Sequence, residues 1–207
     1  MTTPVISVID AFVGGCSLLE NVEEVPPNSN TGPIVSLIQA STGSKAGDPW
    51  CASDMSYVGG KLFAARWPLP HTASCNDLAL YAIRHGVLAC VGRVYDDIQA
   101  HGLIDASGHR VLEPNALGAR AAVVLPPERG DLCLLYSMSA HHFHHAGCVR
   151  DVIAQGTAWR SWEGNTTKPG QKGDQREGWG HFAKQHEMTE PWGFVRWATL
   201  LERSETP

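Results

Sequence analysis

Cys51, His145, Glu163 and Asn165 are the side chains of this 207-residue chain whose types and order could do covalent chemistry. A thiol attacks as its thiolate, so it needs a base to take the proton and a third group to orient that base. Cys51 lies in Gly47-Asp48-Pro49-Trp50-Cys51-Ala52-Ser53, which reads as a helix start. Asp48 can accept first-turn N–H groups as an N-cap, and Pro49 suits the first helical position. The thiol then falls at the positive end of the helix dipole, which favours the thiolate.

His145 leads into Ala146-Gly147-Cys148-Val149, and Glu163 and Asn165 follow the next strand-like run. If those runs pair about Gly156, opposed residues have a roughly constant sum, and His145 meets the residues just past Trp162. A one-residue slip would present His144 instead. His141, His142, His144 and His145 could also gather on a metal, although solvated loop histidines give the same pattern. The nucleophile reading requires neither metal nor cofactor. Trp50, Asp54 and Trp162 flank these positions and are assigned to substrate contact, with a solvated helix carboxylate as the alternative for Asp54. For most of the seven tryptophans, core packing is the default.

The elements that must hold these residues change character along the chain. Apolar residues at Val5, Val8, Ile9, Phe12 and Val13 predict an amphipathic helix, and a second helix starts at Pro33 and stops near Gly43. The cysteine helix follows, weakened in its second half by Gly59-Gly60. Ser74-Cys75-Asn76-Asp77 reads as a capping box for a fourth helix, with Gly86 as its C-cap. Residues 87–120 read as an insertion of short strands or loop that covers or shapes a cleft.

From Ala121 the apolar runs shorten to strand length. Ala121–Leu125 and Leu132–Tyr136 flank a turn, 147–153 and 157–162 form a hairpin, 166–178 is a polar loop, and 179–188 and 193–200 supply two more strands. Helices followed by antiparallel strands predict an α+β domain spanning 1–207.

A formal net charge of −5 argues against nucleic acid as the main partner. No apolar run is long enough for membrane insertion. The first residues lack the basic and apolar regions of a secretory signal, which places synthesis in a reducing cytosol. Six scattered cysteines without a C-x-x-C pair fit thiols rather than a zinc site or a disulfide framework.

Four segments in order carry a family resemblance: Asp48-Pro49-Trp50-Cys51-Ala52, Arg129-Gly130-Asp131-Leu132, His145-x-Gly-Cys-Val149 and Trp162-Glu163-Gly164-Asn165-Thr166. They resemble the CHAP amidase/peptidase domains of the papain-like NlpC/P60 superfamily, found in phage endolysins and bacterial peptidoglycan hydrolases. Glu24–Asn30 and Trp192–Trp197 are similar to further segments of that family.

The resemblance implies a papain-like fold in which Cys51 is the nucleophile and His145 the base. Glu163 would orient the imidazole, Asn165 would position or polarise, and the Cys51 N–H would lie in the oxyanion hole. The implied activity is hydrolysis of a peptidoglycan amide, either N-acetylmuramoyl-L-alanine or a stem-peptide or cross-bridge bond. The expected protein is a monomeric phage or prophage endolysin, made in the bacterial cytoplasm, released with a holin and acting at the cell wall. An injected antibacterial amidase, a cytosolic thiol peptidase or deamidase, and an inactive binding or structural phage protein are the alternatives.

Overall fold

A computed structural model describes residues 5–118, 121–123, 126–169 and 178–205. The N-terminal third is helical, with α1 at Val5–Ser17, α2 at Pro33–Ala40, α3 at Cys51–Phe63 and α4 at Cys75–His85. Strand β1 (Leu88–Cys90) and helix α5 (Gly92–His101) follow, then the small pair β2 (Leu103–Ile104) and β3 (Arg110–Leu112). The remainder is β4 (Ala121–Val123), β5 (Leu132–Ser137), β6 (His142–Ile153), β7 (Ala158–Thr166), β8 (Gly180–Glu187), β9 (Trp192–Val195) and a last helix, α6 (Ala198–Glu205).

Seven strands form one sheet in the order β4-β1-β9-β5-β6-β7-β8. Every neighbouring pair is antiparallel except β1 with β4. The architecture is therefore α+β, built on a large, mostly antiparallel sheet against which α3 and α4 lie at β6. The helices pack where their apolar stripes predict. Val8, Phe12 and Val13 of α1 are buried, and the Phe12 ring lies 5.2 Å from Trp67 and 5.1 Å from Trp197.

Gly59 does not end α3. A Cβ there would come within 2.3 Å of the Trp67 ring, so its absence lets that indole lie against the helix. The N-cap of α4 is as read, with Ser74 Oγ accepting from the Asp77 N–H at 3.1 Å. The reciprocal half of the box is replaced, because Asp77 Oδ2 accepts from the Thr72 hydroxyl at 3.0 Å. Gly86 closes α4 in the left-handed conformation.

Four expectations need correction. Gly92–His101 forms the helix α5 where short strands or loop were expected. Residues 88–90 are not part of a covering insertion, because β1 lies inside the main sheet between β4 and β9. The expected strand over 193–200 ends at Val195, and Ala198 begins α6. Asp48 does not cap α3. Its Oδ2 accepts from the Lys45 N–H at 2.8 Å, Trp50 occupies the N-cap position without a side-chain bond, and Pro49 stands outside the helix. Leu125, and the 170–177 part of the expected polar loop, lie outside the described residues.

Candidate active site

Cys51 is the first residue of α3, so its thiol still sits among the unsatisfied N–H groups of a helix start, although Asp48 plays no part in that start. The turn before it is braced from behind. Val35 and Ile38 of α2 pack on the fully buried Trp50. Gln39 Nε2 donates to the Asp48 carbonyl at 2.7 Å and to the Asn30 carbonyl at 2.9 Å. Glu24 is the centre of this brace, accepting from Trp50 Nε1 at 2.9 Å and from the Asn30 N–H at 2.8 Å.

The hairpin β6–β7 forms about Gly156, with Cys148 opposite Trp162 and Val149 opposite Ser161. That register brings His145 to Glu163, and their Nε2–Oε2 separation is 2.9 Å, with both side chains fully buried. Gly147 makes the approach feasible: a Cβ there would lie 2.5 Å from Glu163 Cγ. His145, rather than His144, is thus the histidine joined to the acid. Its Nδ1 has no hydrogen-bond partner among the described residues, and the ring is close enough to Cys51 for each to shift the other's pKa.

Glu163 is shared. Its Oε1 accepts from Ser161 Oγ at 2.5 Å and faces His186 Nε2 at 2.5 Å, while His186 Nδ1 lies 3.0 Å from Glu190. His186 sits on β8, 23 residues from Glu163, and no local motif marks it. Burial would raise the Glu163 carboxyl, but the His186 charge and the hydrogen bonds of both imidazoles hold it well below the usual carboxylate range. Burial opposes a charged His145, yet the neighbouring Cys51 and Glu163 outweigh that and lift it to about 10. The Cys51 thiol is pulled well below its ordinary value, first by a hydrogen bond from Cys75 and then, against desolvation, by His145. These directions all favour a thiolate beside an imidazolium, with a carboxylate behind it.

A cleft of about 330 Å³ opens over Cys51. Pro49, Cys75, Asn76, Phe143, His144 and Asn165 are among the residues that line it. Asn165 is buried and does not follow Glu163 to the imidazole. A register shift in β7–β8 between Glu163 and Thr166 and a φ of 55° turn its side chain elsewhere. With its amide oriented to satisfy its neighbours, it donates to Gly178 O at 2.7 Å, Asn30 Oδ1 at 3.1 Å and Glu24 Oε1 at 3.3 Å. It therefore ties β7 to the brace under Cys51.

The three residues assigned to substrate contact are interior ones. Trp50 and Asp54 are 0% exposed and Trp162 is 6% exposed. Asp54 is not a solvated carboxylate, since its Oδ2 lies 2.8 Å from His181 Nδ1. Trp162 is covered by the Arg150 guanidinium, 5.1 Å from the ring. Of the other histidines, His141 pairs with Asp97 at 2.8 Å. Among the described residues no group of three His, Cys, Asp or Glu is arranged to hold a metal, and no helix is long and apolar enough to cross a membrane.

Fold and site define an α+β protein with Cys51 at a cleft and a paired His145 and Glu163 buried beside it. No protein-family model, curated protein or solved structure gives a significant match to the chain.

Proposed function

We propose that this chain is a papain-like cysteine amidohydrolase of the CHAP type that cleaves an amide bond of peptidoglycan. One observation carries the reading: Cys51 opens a helix at a cleft, beside a buried His145 that Glu163 holds at 2.9 Å and that lowers the thiol's pKa. The order Cys, His, Glu along the chain and the surrounding motifs are those of the family it resembles, and helices preceding an antiparallel sheet are consistent with that fold.

In this reaction the Cys51 thiolate adds to the carbonyl carbon, and the Cys51 N–H at the free helix end supports the developing oxyanion. The His145 imidazolium gives its proton to the leaving amine as the C–N bond breaks. The neutral ring then takes a proton from water, and the hydroxide releases the acyl group and restores the thiolate. Glu163 stabilises the imidazolium and fixes which ring nitrogen faces the thiol. The biological setting is a phage or prophage endolysin working at the cell wall, released from the cytoplasm with a holin.

Mass spectrometry of fragments released from purified peptidoglycan by the native chain and by Cys51→Ala tests the reading. Release that depends on Cys51 is expected. A new lactyl or amino end in the fragments separates the sugar–L-alanine amide from a peptide bond. No release from several wall chemotypes by a folded protein with an alkylatable Cys51 would reject the wall substrate and favour a cytosolic peptidase or deamidase.

A further inference from the structure

The cleft contains a second thiol that forms no covalent bond in the hydrolysis, although it helps to lower the pKa of the Cys51 thiol. Cys75 is the first residue of α4 as Cys51 is the first of α3, so two helix starts present their thiols at the same cleft. The two sulfurs lie 3.9 Å apart. Cys51 and Cys75 keep 4% and 6% of their surface exposed where they line the cleft.

Cys75 is held in place by its neighbours. Ser74 caps α4, while Asn76 donates to the Ile104 carbonyl at 2.8 Å and accepts from the Phe143 N–H at 2.8 Å. Cys16, Cys90, Cys133 and Cys148 are 0% exposed. Burial pushes the Cys16 and Cys133 thiols well up and Cys90 up to about 12.

We propose that Cys51 and Cys75 are a redox-active dithiol, a covalent modification site at which a hydroperoxide closes an intramolecular disulfide. The Cys51 thiolate attacks the terminal peroxide oxygen. The O–O bond breaks, the sulfur becomes a sulfenic acid, and the alkoxide or hydroxide released takes a proton from the His145 imidazolium. The Cys75 sulfur then attacks the sulfenic sulfur. An S–S bond forms, the S–O bond breaks, and the departing hydroxide leaves as water with the Cys75 proton.

Peroxide is reduced and the two thiols are oxidised. An external dithiol reverses the change by exchange and becomes a disulfide itself. The sulfurs must close from 3.9 Å to about 2.05 Å, a movement on the scale of a single χ1 rotation. The depressed thiol of Cys51 and the burial of the other four make the pair selective.

The test treats the folded full chain with hydrogen peroxide, alkylates the remaining thiols after denaturation, and maps the peptides by mass. The expected product has lost two hydrogens, carries a Cys51–Cys75 linked peptide, and returns to the starting mass with dithiothreitol. In Cys75→Ser the link is absent and Cys51 advances to the sulfinic acid. The proposal is overturned if native Cys51 reaches the sulfinic acid as fast as in Cys75→Ser. It is equally overturned if the first link joins another pair such as Cys16 and Cys148, or if Cys51 stays reduced while the protein remains folded.

The native map decides even if the variant does not fold, and mass rather than turnover is the readout, so failure here is distinct from failure of the hydrolase reading. Where that reading holds, peroxide silences the native enzyme and dithiothreitol restores it.

Discussion

At the scale of single residues, the site depends on charge held in place by burial. His145 carries its proton up to about 10 because the Cys51 thiolate and Glu163 both face it, against a desolvation cost that acts the other way. Wall-fragment release should therefore stay level through neutral pH and fall as pH rises through about 10, where the imidazolium loses the proton needed by the leaving amine. Decline starting near the ordinary histidine value of about 6.5 would show that the ring is not held charged.

Glu163→Gln removes the charge while keeping the shape. Turnover should fall roughly 10²–10⁴-fold, and alkylation of Cys51 by iodoacetamide should shift to higher pH as the imidazolium it depends on weakens. A variant with native turnover and a native alkylation profile would remove Glu163 from the mechanism.

At the scale of elements, what matters is how closely β6 and β7 approach and how the helix starts are held. A Cβ on Gly147 would meet Glu163 Cγ at 2.5 Å and the Trp162 carbonyl at 2.8 Å. Gly147→Ala should cost about 1–3 kcal/mol and displace the carboxylate from His145, so stability and turnover fall together. Urea denaturation beside fragment release measures both, and loss of neither would show that the hairpin has slack there. Ser74→Ala removes the one side-chain cap of α4 and should cost about 1 kcal/mol in the same denaturation experiment. It should also slow formation of the Cys51–Cys75 link, because Cys75 follows that cap directly.

At the scale of the whole molecule, stability should follow the titration of Glu163 and its two histidines. His186 is raised from 6.5 to about 9, chiefly by Glu163 working against burial, so its folded value lies above its unfolded one. The stability it contributes is fully present below about pH 6.5 and is lost as pH rises through about 9. Glu163 is depressed below 4.5, so its contribution is present above that value and is lost as pH falls through the folded value. The urea midpoint should be greatest between those limits and decline toward alkaline pH. A midpoint that rises from pH 6.5 to 9 would contradict the pairing.

What could be read from the chain alone was what neighbours in sequence determine. The Ser74 cap, the Gly86 stop, the turn at Gly156 and the resulting meeting of His145 with Glu163 each follow from local backbone chemistry and a two-residue period. The α+β class followed in the same way from the change of apolar period near Ala121. Packing decided the rest. Leu88–Cys90 is a three-residue run that becomes a strand through pairing with β9 and β4, over 100 residues away for β9. Asp48 could cap a helix, but Lys45 takes its carboxylate. Trp50 and Asp54 looked available to substrate and are buried because α2 and His181 cover them. His186 carries no local signature, and His186, Glu24 and Cys75 each acquire their role from a side chain more than 20 residues distant. Covalent spacing specifies turns and caps, whereas the burial and charge pairing that set the reactivity of Cys51 exist only once the distant strands and helices close around it.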